Sequence, residues 1–145
     1  MWTFSFPASL RPDTGGEIAV RFRDLPEAIT SGGSRADAIT QAFDCLDEAI
    51  AGRICDGLDI PVPSKPNRGE LLVALPATMA AKAAFYIAFR ESGLTKTQMA
   101  KRLGIDEKEV RRMLDPRHPT RLLRIQMARA SLGKQLLMGM VETAA

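Results

Sequence analysis

Apolar residues alternate with small or polar ones at Trp2, Phe4, Phe6, Ala8 and Leu10, the period of two that predicts a strand with one buried face. A turn cluster, Asp13-Thr14-Gly15-Gly16, leads to a second alternation at Ile18, Val20 and Phe22, so the two runs predict a hairpin. Asp24-Leu25-Pro26 breaks the pattern, Ala28-Ile29-Thr30 predicts a short third strand, and Ser31-Gly32-Gly33 closes it. The period then lengthens. Ser34, with Asp37 three residues later, marks a helix start, and Ile39, Ala42, Phe43, Leu46, Ala49, Ile50 and Ile54 supply an apolar stripe as far as about Asp56. The opposite face of this helix carries Asp37, Asp44 and Glu48. Gly57 suits its end, and Pro61, Pro63, Pro66 and Gly69 then exclude helix until Leu71, Val73 and Leu75 predict a last strand. Pro76 marks a domain boundary, followed by a helix over Ala77 to Ser92 with Ala80, Ala83, Ala84 and Ile87 at helical spacing and Gly93 as its stop.

The segment Lys96 to Leu114 reads as two short amphipathic helices divided at Gly104, a helix-turn-helix. Small Ala100 allows a close crossing, and Met99, Leu103, Ile105, Val110 and Met113 form the inward set. Asp106 is placed to cap the second helix, with Glu109 three positions on as a variant capping box. Glu107, Lys108, Arg111 and Arg112 fall on the outer side, where a helix entering the major groove presents groups to base edges. Lys96 at the start of the first helix, and Arg117 and Arg121 after the second, are better placed for phosphates.

Charge sharpens this division. The 145 residues carry a net charge of only +3. Yet residues 1–68 hold 7 basic and 10 acidic side chains while residues 69–145 hold 13 and 7, an acidic half joined to a basic one. Hydrophobic residues make up 46% of the chain, an ordinary globular share, and no apolar run approaches the roughly 18 residues of a membrane span. A cytoplasmic location is therefore expected. The fold class expected is α+β for residues 1–75, a sheet with one long helix, followed by an all-α DNA-binding and dimerisation domain over 76–145.

Other candidate chemistry carries less. Cys45 and Cys55 have no paired metal spacing and read as reduced thiols. His118, within Pro116-Arg117-His118-Pro119, reads as a solvent-side or phosphate-side residue rather than a general base. Asp13, Glu17 and Asp24 would interest a metal-dependent nuclease, but carboxylates at turns and strand edges are usually solvated. Neither cofactor nor resident metal is expected. The stripe Asp37, Asp44 and Glu48 reads as a wet helix face or as a docking face for a basic partner. Apolar Leu136, Leu137, Met138, Met140 and Val141 predict that residues 135–141 add a strand or helix to a dimer interface.

The order of these features, from Trp2 to Val141, resembles that of HicB-type antitoxins. The marks are the Gly15-Gly16 turn, Val20-Arg21-Phe22, Asp24-Leu25-Pro26, Thr30-Ser31-Gly32 and Pro61-Val62-Pro63-Ser64, then Leu75-Pro76-Ala77, Lys82, Val110-Arg111-Arg112, Leu114-Asp115-Pro116 and Leu132-Gly133-Lys134. The resemblance implies an incomplete ribonuclease H-like N-terminal fold used for binding, a HicA-type messenger RNA-cleaving toxin as partner, and repression of the operon encoding both. Departures from the family pattern stand at Arg23, where Pro is common, at Glu27, where Gly is common, and at Gly33, where an acidic residue is common. The function expected is thus an antitoxin that occludes its toxin and binds operator double-stranded DNA, as a homodimer or higher even oligomer. The competing reading is a stand-alone regulator whose N-terminal domain senses a small ligand.

Overall fold

The computed structural model describes residues 3–140 and 142. Four strands, β1 (Ser5–Pro12), β2 (Ile18–Phe22), β3 (Leu25–Gly32) and β4 (Leu71–Ala74), form one antiparallel sheet in the order β3-β2-β1-β4. The long helix α1 (Arg35–Cys55) packs on one face of it, and α2 (Ala77–Ser92), α3 (Lys96–Leu103), α4 (Glu107–Leu114) and α5 (Leu122–Ser131) follow. The class is α+β, as the periodicity predicts.

Alternation works out as expected in the first hairpin. Ala8 faces Phe22 and Leu10 faces Val20, so one side of the pleat is apolar. Phe6, Ala8, Val20, Phe22 and Val73 are fully or almost fully buried beneath Ala38, Ala42, Leu46 and Ile50 of α1. Trp2 lies outside the described residues. The third strand is longer than predicted: it starts at Leu25 and includes Pro26, which the sequence reading placed in a break. Proline has no N–H to give the ladder, and β3 tolerates it because it is an edge strand whose register shifts next to Phe22.

The helix start at Ser34 forms as read. Ser34 Oγ accepts the Asp37 amide at 3.1 Å, and Asp37 Oδ2 in return accepts the Gly33 amide at 2.9 Å. This tight junction brings the end of β3 against the first turn of α1, so close that a Cβ on Gly32 would stand 2.3 Å from the Ala38 backbone nitrogen.

Two of the three departures from the family pattern acquire charged partners here. Arg23 Nε meets Glu70 at 3.0 Å and its guanidinium also donates to the Lys65 carbonyl, tying the β2–β3 turn to the proline-rich segment. Glu27 is gripped by the Arg53 guanidinium, which holds its carboxyl below the ordinary range against an opposing push from burial.

Helix α2 departs most from expectation. The spacing shows one apolar stripe, but the helix is buried on two sides. Met79, Ala83 and Tyr86 belong to the core under the sheet. Ala81 and Phe85 belong to a second core with Met99, Ala100, Val110, Met113, Ile125 and Ala128. A helix apolar nearly all round is one with neighbours all round. The Tyr86 hydroxyl donates to the Leu58 carbonyl at 2.7 Å, and Arg90 reaches the Gly57 carbonyl and Asp59, fastening α2 to the segment after α1. Gly93 ends it with φ +67°, a left-handed conformation in which glycine carries no Cβ penalty.

Helix α5 has no counterpart in the sequence reading. Residues 134–140 form neither of the elements predicted for that region, strand or helix, within the single chain. Leu136 packs against the second core while Leu137, Met138 and Met140 are exposed. Val141 lies outside the described residues.

Candidate nucleic-acid interface and acidic face

Helix α3 is started by Thr95, whose hydroxyl accepts the Gln98 amide at 3.1 Å while the Gln98 side chain accepts the Thr95 amide at 2.9 Å. This is the reciprocal capping box of the region. The one read at Asp106 and Glu109 does not form. Asp106 caps α4 alone, through the Lys108 amide at 2.9 Å, and Glu109 turns elsewhere. Gly104, with φ +67°, joins the two helices, and Met99, Ala100, Val110 and Met113 are buried between them and their neighbours.

The outer side of α4 carries the predicted cations, though not all of them free. Arg111 pairs with Glu107 at 2.8 Å and Arg112 with Glu109 at 2.8 Å. Glu109 also holds Arg124 of α5 at 3.0 Å, so it braces α4 against α5. Thr97 of α3 reaches Glu107 at 3.3 Å, bracing the other end. Lys108 is exposed and forms none of the ion pairs found among the described residues. Exposed pairs such as Arg111–Glu107 are worth little, so a stronger anion can exchange for the carboxylate. Lys96, Arg117 and Arg121 are all exposed, on both sides of α4 in sequence. Lys101, Arg102 and Arg124 are exposed cations that the sequence reading did not single out.

Against the C-terminal end of α4 sits a buried lysine. Lys82 of α2 is 5% exposed. Its Nζ donates to the carbonyl oxygens of Arg112 at 3.1 Å and Asp115 at 2.8 Å, and to Thr120 Oγ1 at 2.8 Å. Burial lowers its pKa, opposed by the Asp115 charge.

On α1, Asp37, Asp44 and Glu48 are exposed along one face, although Asp37 is also committed to the Gly33 amide. Their neighbour Asp47 lines an open cleft of about 740 Å³ together with Lys82, Arg117, His118, Thr120 and Arg121. Asp47 Oδ1 and His118 Nδ1 are buried there without a hydrogen-bond partner among the described residues. His118 is thus half-buried against the cleft, not simply solvent-facing.

Burial pushes the Asp47 carboxyl above its ordinary pKa, and the Glu48 and Asp44 charges push the same way. Between the ordinary and the raised value the folded chain binds more protons than the unfolded one, so stability falls as pH rises through that window. Asp47→Asn is therefore expected to melt higher than the parent at about pH 7, with the gap closing toward about pH 3. Thermal melts across that range check it; a gap that widens in acid would contradict the assignment.

The carboxylates that would interest a nuclease are employed separately. Asp13 accepts the Gly15 and Glu17 amides at 2.8 and 3.0 Å, Glu17 accepts the Ser31 hydroxyl at 2.7 Å, and Asp24 receives both the amide and the hydroxyl of Ser64. No cluster of three or more His, Cys, Asp or Glu side chains suited to a metal occurs among the described residues. Cys45 and Cys55 are free thiols, and burial raises the pKa of Cys45. No helix among the described residues is long and apolar enough to cross a membrane.

A family model for the HicB-like antitoxin of bacterial toxin–antitoxin systems matches residues 5–84. The chain is 34% identical over 136 residues to Antitoxin HicB of Escherichia coli (strain K12), covering 94% of this chain and 99% of that one. It is 34% identical over 131 residues to Antitoxin HicB 1 of Photorhabdus laumondii, with 90% and 83% covered. To Antitoxin HicB of Pseudomonas fluorescens (strain Pf0-1) it is 27% identical over 124 residues, 85% of each chain. These relatives are named as antitoxins, not as enzymes.

Proposed function

The chain belongs to the HicB-like antitoxin family, and from that premise we propose that it neutralises a small basic messenger RNA-cleaving toxin of the HicA type and represses the operon encoding both by binding operator DNA. Residues 1–75 supply the toxin-binding head and residues 76–145 the DNA-binding and dimerisation head. The mechanism on the toxin side is occlusion. Asp37, Asp44 and Glu48 offer a like-charged row to a basic surface, and complementary charge speeds encounter and fixes register. Covering the toxin's active surface needs no chemistry from the antitoxin. Leu137, Met138 and Met140 remain exposed in the single chain, apolar surface that a second protomer would cover.

The observation that carries the DNA reading is the outer side of α4. Lys108 is exposed and free of acidic partners among the described residues, next to Arg111 and Arg112, on a helix whose N-terminal end is capped by the exposed Asp106. Entering the major groove by that end brings Glu107 and Lys108 to base edges, while Lys96, Arg117 and Arg121 meet phosphates. Two such helices in a dimer read two half-sites about one DNA turn apart.

Titrations on the DNA upstream of the operon and on random duplex, at several salt concentrations, test this. Lys108→Ala and Arg112→Ala are each expected to cost about 1–3 kcal/mol on the operator and little on random DNA. Lys96→Ala is expected to weaken both and to reduce the salt slope by about one phosphate contact per protomer. Equal losses on both DNAs for Lys108→Ala would make it an anchor, and no change for any of the three would remove α4 from the interface. On the toxin side, the full chain is expected to co-purify with the toxin and stop its RNA cleavage.

A further inference from the structure

A primary ammonium has three hydrogens, and Lys82 has three short acceptors: the Arg112 and Asp115 carbonyl oxygens and Thr120 Oγ1. A fourth, the Met113 carbonyl, stands at 3.5 Å. No carboxylate makes a salt bridge to it among the described residues. Its charge instead meets the negative end of α4, where the last carbonyl groups have no donor within the helix. Hydrogen bonds from an ionised donor are also the stronger kind.

What these acceptors have in common is their position. Arg112 and Met113 are in the last turn of α4, the helix that carries Lys108 and Arg111. Asp115 and Thr120 bracket the loop that carries Arg117, and Arg121 follows directly. The lysine itself stands on α2, whose neighbouring residues Met79, Ala83 and Tyr86 are set in the core of the sheet. One buried cation therefore ties the end of α4 and the loop after it to a helix rooted in the other head.

We propose that Lys82 is a positioning residue for operator recognition, holding the base-reading helix α4 and the phosphate-anchoring loop 115–121 in one fixed relation. The proposal rests on the operator-binding reading and adds a residue that touches no DNA. Specific recognition needs base contacts and phosphate contacts at the same time, and phosphate contacts set the register in which bases are read. Binding to random DNA needs the cations but not their register. Removing Lys82 leaves every exposed cation in place, so it is expected to impair discrimination and spare non-specific binding.

The experiment compares Lys82→Met and the gentler Thr120→Val with the unsubstituted full chain. Each is titrated with the upstream operator duplex and with random duplex, alongside thermal melting and toxin neutralisation. Lys82→Met is expected to lose about tenfold or more in operator affinity while random-DNA affinity stays within about twofold and its salt slope is unchanged. Thr120→Val, which removes one acceptor and keeps the shape, is expected to give a smaller loss of the same kind, and both to retain toxin neutralisation. Should Lys82→Met not fold, Thr120→Val decides alone. A folded variant set that keeps the parental ratio of operator to random binding overturns the proposal, as does an equal loss on both DNAs. If the unsubstituted chain shows no operator preference, the operator reading falls and takes this proposal with it, a result distinct from the other two.

Discussion

Gly32→Ala is expected to destabilise the N-terminal half by roughly 3 kcal/mol or more, at the upper end of what overpacking causes, because the added methyl meets backbone and not a movable side chain. The Cβ would lie 2.3 Å from the Ala38 nitrogen, 2.6 Å from its Cα and 2.8 Å from the Asp37 carbonyl carbon. Relief requires moving the first turn of α1 away from the end of β3. That would disturb the Ser34 cap and the Asp37–Gly33 bond together. The adjacent Gly33→Ala is the control: a Cβ there has nothing within 4 Å, so its effect should stay within about 0.5 kcal/mol. Denaturant unfolding of the two variants side by side checks the pair. Similar midpoints would mean that β3 and α1 are not in such close approach. Under the proposed function, toxin neutralisation is expected to be lost in the first variant and kept in the second.

Phe85→Ala is expected to cost about 3–5 kcal/mol, the range for emptying a fully buried aromatic site. Phe85 is 0% exposed in the second core, among Met99, Val110, Met113 and Ile125, so its ring has little surrounding freedom to collapse into. The cavity would open beside the helices that carry the cationic surface. Under the proposed function, operator binding should therefore weaken at temperatures where the sheet is still formed. Unfolding followed by a sheet-sensitive and a DNA-binding readout would show this as separated transitions. A loss below about 1 kcal/mol would mean that the site repacks and that the second core is looser than its burial indicates.

Much of this was legible from local chemistry. Alternation at Phe6 and Ala8 and at Val20 and Phe22 depends only on which side of a pleat is covered, and Ser34 as a cap depends only on three following residues. The parts that escaped depend on neighbours remote in sequence. Pro26 is compatible with a strand only because β3 lies at an edge, which the local pattern does not reveal. Glu109 fits a capping box by spacing, but Arg112 and Arg124 compete for it and win. The burial of Lys82 in an alanine-rich helix has no local sequence signal; the arrival of the α4 terminus and Thr120 makes it tolerable. Helix α5 has Arg121 at its N-cap and no side-chain cap hydrogen bond, so the usual punctuation is missing. The outward direction of Lys108 and Arg111 was readable from helical spacing, but their different engagement with carboxylates was not.

Helix α2 also limits where this chain can be joined to a relative. The family match ends at residue 84, inside this helix, so neither side owns it. A crossover at Pro76 would graft a foreign Met79, Ala83 and Tyr86 onto the parental sheet. A crossover after Gly93 would instead present a foreign second layer to the parental Ala81, Phe85 and Lys82. Hybrids that exchange the C-terminal helices of two relatives thus need both sides of α2 to match their new surroundings. The alanines at 81, 83, 84 and 88 ease that demand, since small side chains leave few shapes to match, whereas Phe85 and Lys82 concentrate it. Under the proposed function, exchange of operator specificity is then expected to carry these two positions along with the incoming helices.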